Sequence, residues 1–483
     1  MLDGLRTWYR QPSGGGEVLR LMLPLVISTT SWTVMQFTDR VFLFKYSEHA
    51  LAAALPAAML SFAVACFPLG LVSYVNTFVA QYHGAGRPRR IGLAIWQAVF
   101  LTLAVSPLIL ATNWIAPAVF VAADHGEAIV ELEVIYYQAL NFGSPAIVLS
   151  AALSAFFTGR GKTRVVMIVD MLAAILNIVL DYAWIFGVWG FPEWGIAGAA
   201  WATVVSLWAK TLVYFVLFLR PEAQRVFGTL TGFRCDVALM RRMLWFALPS
   251  GVQMLIEVSG FTVLLFLLGQ LGPLQLAATS LAFNINSLAF MPVYGAGIAT
   301  ATLVGQRLGE NQPDLAARAT WTSFAIAAIY MAIFSAIYLL LPEQLLWVHE
   351  QSNRGAADFA ALRELTIVLL RFVAAYGMFD AMYTVFAGAL KGAGDTRFIM
   401  WTASLFSTVA VIVTWAGLEQ AGFGILACWA VITGWICALG IAYWMRFVGG
   451  KWRTMRVIEP ELEEEPADEF DVATELGAAA ESV

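Results

Sequence analysis

Twelve times along this 483-residue chain an apolar run of about 20 residues or more is closed off by a cluster of polar or turn-forming residues. A run of that length, wound as a helix, matches the ~30 Å hydrocarbon core of a bilayer. Inside lipid, only a helix or a closed barrel satisfies its own backbone hydrogen bonds. Charged residues make up 13% of the chain and apolar ones 60%, whereas a soluble domain carries about 25% charge. Trp114, Trp189, Trp194, Trp401 and Trp452 stand at the ends of the runs, where an amphipathic ring prefers the headgroup level. The sequence therefore predicts an all-α membrane protein with twelve transmembrane helices.

Basic residues set the orientation. Of the 28 Lys and Arg, 22 fall at the termini or in alternate connections, among them Arg87, Arg89 and Arg90, then Arg160, Lys162 and Arg164. Such an excess marks the cytoplasmic side. The expected organisation is a cytoplasmic segment over 1–17, a six-helix bundle over 18–220, a cytoplasmic linker over 221–242, a second bundle over 243–447 and a tail over 448–483. From Glu459 onward that tail has many acids and no Lys or Arg, a composition that buries no core and reads as disordered and cytoplasmic.

The two bundles repeat one another. Thr77–Pro88 (TFVAQYHGAGRP) and Thr302–Pro313 (TLVGQRLGENQP) share Thr, Val, Gln, Gly and Pro at a constant offset of 225, which also sets Leu23-Pro24 on Leu248-Pro249. Gly159-x-Gly161-x-Thr163-Arg164 likewise matches Gly392-x-Gly394-x-Thr396-Arg397. Six spans per repeat return the chain to its starting side, so the halves are pseudo-symmetric about an axis along the membrane normal. Secondary transporters share this arrangement and place their substrate sites near mid-membrane at the repeat interface.

Several chemistries are excluded. Cys66, Cys235, Cys428 and Cys437 are scattered, and no GxxxxGK[ST], HExxH or nucleophile elbow is present. The glycines of GRGKTR and KGAGDTR belong to turns, with Asp395 and Thr396 expected to cap a helix. The chain is not read as an enzyme. Work must be driven by an ion gradient or by the substrate, with Na⁺ or H⁺ as coupling ion and no bound cofactor.

Ionisable groups inside the spans are costly, and they usually face a wet cavity or a partner. Asp39, Asp181, Glu257 and Asp380 stand there, on spans 1, 5, 7 and 10. Asp170, Asn177 and Asp181 fall on one helical face, Gln36 and Asp39 are neighbours at i, i+3, Ser250, Gln253 and Glu257 share a face, and so do Tyr376, Asp380 and Thr384. Two oxygen-rich pockets are expected: Asp39, Asn177 and Asp181 in the first half, and Glu257 and Asp380 in the second. Carboxylate and amide oxygens suit Na⁺, for which Asp39, Asn177 and Asp181 are the candidate ligands. A desolvated carboxylate can equally carry a proton. Gln36, Gln253, Tyr376, Thr384 and Lys210 are the candidate substrate-cavity residues. Lys210 has two readings, an ion pair with Asp170 or a counter-charge facing the cavity. Aromatic and Met residues beside these stripes, Trp32, Met35 and Phe37 among them, could cradle a flat organic cation.

The segments MQFTDRVFLF (35–44), VAQYHGAG (79–86), GRGKTRVVMIVDMLAAILNIVLDYAWIFG (159–187), WGIAGAAWAT (194–203), LPSGVQMLIEVSGF (248–261) and AGALKGAGDTR (387–397) resemble, in that order, the multidrug and toxic compound extrusion (MATE) family. The resemblance implies a V-shaped pair of six-helix bundles that export cationic or amphipathic compounds by opening alternately outward and inward. It implies that Asp39, Asn177 and Asp181 form a cation site, and that Glu257 and Asp380 serve coupling as they do in one bacterial branch. The implied setting is the plasma (inner) membrane. The partners would be small organic substrates and membrane lipids, with no nucleic acid, and the chain would act as a monomer. The nearest alternative is a lipid-linked oligosaccharide flippase of the same superfamily, for which basic residues would be expected in the cavity.

Overall fold

A computed structural model of the chain describes residues 2–123, 126–346 and 359–460. The acidic run after Pro460 lies outside these residues. Twelve helices among the described residues are long and apolar enough to cross a membrane. They are α1 Gly15–Tyr46, α2 Glu48–Gly84, α3 Pro88–Trp114, α4 Glu127–Thr158, α5 Thr163–Phe186, α6 Gly195–Phe218, α7 Val237–Gly269, α8 Pro273–Gly309, α9 Pro313–Leu340, α10 Ala360–Ala393, α11 Thr396–Ala421 and α12 Ile425–Val448. Large apolar side chains cover their outer faces. Leu108, Phe266, Leu340 and Trp401 are largely exposed, which is costly in water and favourable in lipid.

The packing follows the sequence repeat. In the first half α1 lies on α5, α2 on α4, α5 on α6 and α4 on α6; in the second half α7 lies on α11, α8 on α10, α11 on α12 and α10 on α12. The halves meet where α1 crosses α8 and α2 crosses α7, two contacts exchanged by the same pseudo-symmetry. At each crossing a glycine lets the backbones approach. Gly70 of α2 lies against Ser250 and Gly251 of α7, and its repeat mate Gly295 of α8 lies against Leu25 and Val26 of α1. Small residues of this kind are what membrane helices pack on, because lipid supplies no hydrophobic drive between them.

The repeated turns have a common cause. Gly86 and its mate Asn311 both adopt a left-handed backbone (φ 68° and 58°), a conformation open to Gly and tolerated by Asn. The amides that follow them close the helix ends, Arg87 N to Tyr82 O at 2.9 Å and Gln312 N to Arg307 O at 2.8 Å. Pro88 and Pro313 then open the next helices, where no N–H is needed.

Two expectations need correction. Asp395 makes no side-chain cap at the start of α11; its carboxylate is held instead by Arg446 Nε of α12 at 2.7 Å. The disordered tail does not begin at residue 448. A short 3-10 turn forms over Lys451–Thr454, and Trp452, Val457 and Ile458 are buried. Trp452 stacks on Phe447 with ring centroids 4.7 Å apart. The packed chain therefore continues to residue 460.

Candidate functional site

The buried acids form two separate groups, one per half. In the first, α1 presents Asp39 and α5 presents Asn177 and Asp181 one helical turn apart. Asp39 is 5% exposed, and Asn177 and Asp181 are fully buried. Tyr136 of α4 donates its hydroxyl to Asp39 Oδ2 at 3.2 Å. Asn177 Nδ2 donates to Thr203 Oγ1 of α6 at 3.3 Å. These two bonds leave Asp39 Oδ1, Asn177 Oδ1 and both Asp181 oxygens buried with no hydrogen-bond donor among the described residues. The carboxylates of Asp39 and Asp181 also lie within electrostatic reach of one another.

A buried acceptor without a donor costs about 1–3 kcal/mol, and more when it is charged. Four such oxygens on two helices form a site that a donor or a positive charge would stabilise. The hard oxygen set suits Na⁺, and two carboxylates facing each other can equally share a proton. No group of three or more His, Cys, Asp or Glu suited to a metal occurs among the described residues, so the set is two carboxylates and an amide.

In the second half Glu257 of α7 is half-buried and accepts from Gln253 Nε2 at 2.9 Å. The Tyr383 hydroxyl of α10 is within hydrogen-bonding reach, and the ammonium of Lys391 acts on Glu257 through its charge. Asp380 is 6% exposed on α10. No hydrogen bond or ion pair joins it to Glu257; Tyr383 lies within the electrostatic reach of both. The expected single pocket is thus two carboxylates that do not bond each other, with Tyr383 within electrostatic reach of both. Tyr376 is buried and accepts from Asn286 Nδ2 of α8 at 3.4 Å. Thr384 is 7% exposed, with its hydroxyl unpartnered among the described residues. The amide oxygen of Gln253 is unpartnered in the same sense.

Gln36 is half-buried beside Asp39 on α1. Lys210 meets Asp170 at 2.9 Å, so the ion-pair reading is the one observed. Asp170 also accepts from Tyr214 at 2.9 Å and from Ser28. The pair lines a small enclosed cavity of about 30 Å³ with Trp32, Met35 and Ser206, large enough for a water molecule and too small for an organic cation. Phe37 is 60% exposed and lines neither carboxylate group. Sequence reasoning missed Tyr136, Thr203 and Asn286, because each is one of several polar residues along its helix and only tertiary packing assigns it a partner. It also left Lys391 in the turn after α10, whereas that residue belongs to the last turn of the helix and faces Glu257.

Comparison with known proteins accords with the twelve-helix fold. A family model described as MatE matches residues 24–183 and 249–416. The multidrug resistance protein PmpM of Pseudomonas aeruginosa is 29% identical over 386 residues, covering 80% of each chain. The multidrug resistance protein NorM of Vibrio cholerae is 29% identical over 390 residues, covering 80% of this chain and 83% of its own. Among solved structures, a transporter of the MOP superfamily from Pyrococcus furiosus superposes with a TM-score of 0.82 at 21% identity, covering 93% of this chain and 98% of that one. An outward-facing multidrug resistance MATE transporter gives a TM-score of 0.82 at 19% identity, covering 92% and 98%.

Proposed function

This chain belongs to the MatE family, and from that premise we propose that it is a secondary active multidrug exporter, moving organic cations out by alternating access in exchange for Na⁺ or H⁺. It is a multi-pass membrane protein. The excess of basic residues in alternate connections supports a plasma-membrane orientation with both termini and the central linker in the cytoplasm. The names of PmpM and NorM support multidrug export.

The observation that carries the coupling is the set of buried, donor-less oxygens on Asp39, Asn177 and Asp181. A cation entering there supplies the missing charge and stabilises whichever conformation buries the site. A ligand shifts a two-state equilibrium only by its differential affinity for the two states. Ion and drug therefore drive opposite transitions only when each prefers a different one. Glu257, half-buried beside Tyr383, is the carboxylate better placed to meet an organic cation. The interior lysines each have an acid near them, Lys210 with Asp170 and Lys391 with Glu257, which disfavours a pyrophosphate-linked lipid as cargo.

The test is expression in bacteria stripped of their own pumps. The exporter reading expects raised resistance to ethidium and other cationic dyes, with faster efflux from preloaded cells. Protein present in the membrane with neither effect would overturn it, and rescue of a flippase-deficient strain would favour the lipid cargo instead.

A further inference from the structure

The repeated motifs form a reciprocal clasp between the halves at their arginine-rich ends. Gln81 of α2 donates Nε2 to Gly392 O of α10 at 2.9 Å, and its mate Gln306 of α8 donates Nε2 to Gly159 O, after α4, at 2.8 Å. Each of the two repeat-related glutamines thus caps the first glycine of the opposite half's Gly-x-Gly-x-Thr-Arg turn. Gly84 lies against the backbone carbonyl of Gln306, and Gly309 against that of Gln81, so a Cβ at either would collide with it. Tyr74 adds a bond to Lys391 O at 3.0 Å, and Asn76 one to Thr302 Oγ1 at 3.0 Å.

The symmetry also breaks at a pair of charged positions. Arg307 of α8 forms a direct ion pair across the seam with Glu17 of α1. The offset of 225 carries Arg307 to Tyr82 and Glu17 to Arg242, which do not bond each other. The segment after α12 fills the gap. Arg242 grips the carbonyls of Val457 and Ile458, the second at 2.8 Å. Val457 N donates to Gln81 Oε1 at 2.8 Å, and Tyr82 donates to Glu459 Oε2 at 2.8 Å. Arg87 Nη1 donates to Glu459 O at 3.0 Å, and Arg90 pairs with its carboxylate at 3.5 Å. The near end of the same segment is tied to the second half by Arg453–Asp314 at 2.7 Å and Arg456–Asn311 at 3.3 Å.

We propose that residues 451–460 are a conformational strap: rooted on the second half and hooked over Gln81, Tyr82, Arg87 and Arg90 of the first, they hold the arginine-rich end shut, and this end opens only when the hook at 457–459 lets go. The strap does for Tyr82 and Arg242 what the direct ion pair does for Arg307 and Glu17. One of the two seams is thereby controlled by a terminal segment rather than by the bundle itself. The proposal rests on the alternating-access reading, yet it can be tested without substrate or gradient.

Spin labels at Arg225→Cys, on the exposed linker helix beside α3, and Arg318→Cys, on exposed α9, report the separation of the two ends in protein whose four native cysteines are replaced. Three variants are compared with the full chain: truncation after Gly450, truncation after Pro460, and the full-length pair Arg242→Ala with Glu459→Ala, which keeps the chain intact if the first truncation folds poorly. The strap account expects the longer-distance population to rise about fivefold or more in the first and third, the shift that losing one or two net hydrogen bonds produces, with no change after Pro460. Unaltered distances in a folded double variant would overturn it. So would an equal shift on removing only 461–483.

Discussion

In the exchange proposed above, Asp39 and Asp181 carry the coupling ion, and their neighbours make them separable by mutation. Asp39→Asn keeps the shape and a hydrogen-bond acceptor for Tyr136 but removes a charge. Gradient-driven dye efflux should be lost while thermal unfolding in detergent stays within a few degrees of wild type. Tyr136→Phe removes the donor to Asp39 found among the described residues. A hydrogen bond to a charged group contributes about 1.5–3 kcal/mol, so affinity for the coupling ion should change by roughly ten- to hundredfold, as read by the ion concentration giving half-maximal efflux. Asp170 and Lys210 behave differently because they satisfy each other. Lys210→Met leaves Asp170 15% exposed without its cation, and breaking such a pair costs up to about 3–5 kcal/mol. Asp170→Leu with Lys210→Leu should unfold at a higher temperature than Lys210→Met alone. If the double variant is the less stable, the pair does more than neutralise itself.

Helices and turns were the most legible part of the sequence. Apolar runs gave all twelve spans, and basic connections gave their alternation. The repeat gave the symmetry that the packing of α1 on α8 and α2 on α7 displays. Periodicity could place Asp39, Asn177 and Asp181 on inward faces because charge inside an apolar run has few stable alternatives. It could not supply Tyr136 or Thr203, since each is one polar group among several on its helix and packing alone decides which of them meets the acids. It also could not separate Glu257 from Asp380, because the angle between α7 and α10 is set by packing. The strap escaped notice for a compositional reason: the acids after Glu459 dominate the reading of the terminus, although Trp452, Val457 and Ile458 stand out as apolar residues in a polar stretch. The repeated glycines offer a test at this scale. Gly84→Ala and Gly309→Ala each place a methyl against the opposite half's glutamine carbonyl. Both should increase access of a thiol reagent to a cysteine introduced at Thr302, which is fully buried at the seam. Equal labelling in all three proteins would show that the approach of the backbones is not needed for closure.

At the scale of the whole molecule, two pseudo-symmetric bundles carry unlike sites. The first half holds a fully buried oxygen cluster suited to a small cation, and the second holds a half-buried carboxylate beside phenols and a lysine. In the proposed exchange, that asymmetry gives ion and drug different places to bind on one two-state frame. The direct measurement uses purified protein in ethidium-loaded liposomes, with an inward Na⁺ gradient and a pH gradient imposed in turn, on wild type and on Asp39→Asn. Wild type should expel dye under at least one gradient and not without it, and Asp39→Asn should leave the dye at its ungradiented level. Gradient-driven expulsion at the wild-type rate by folded Asp39→Asn would contradict the account.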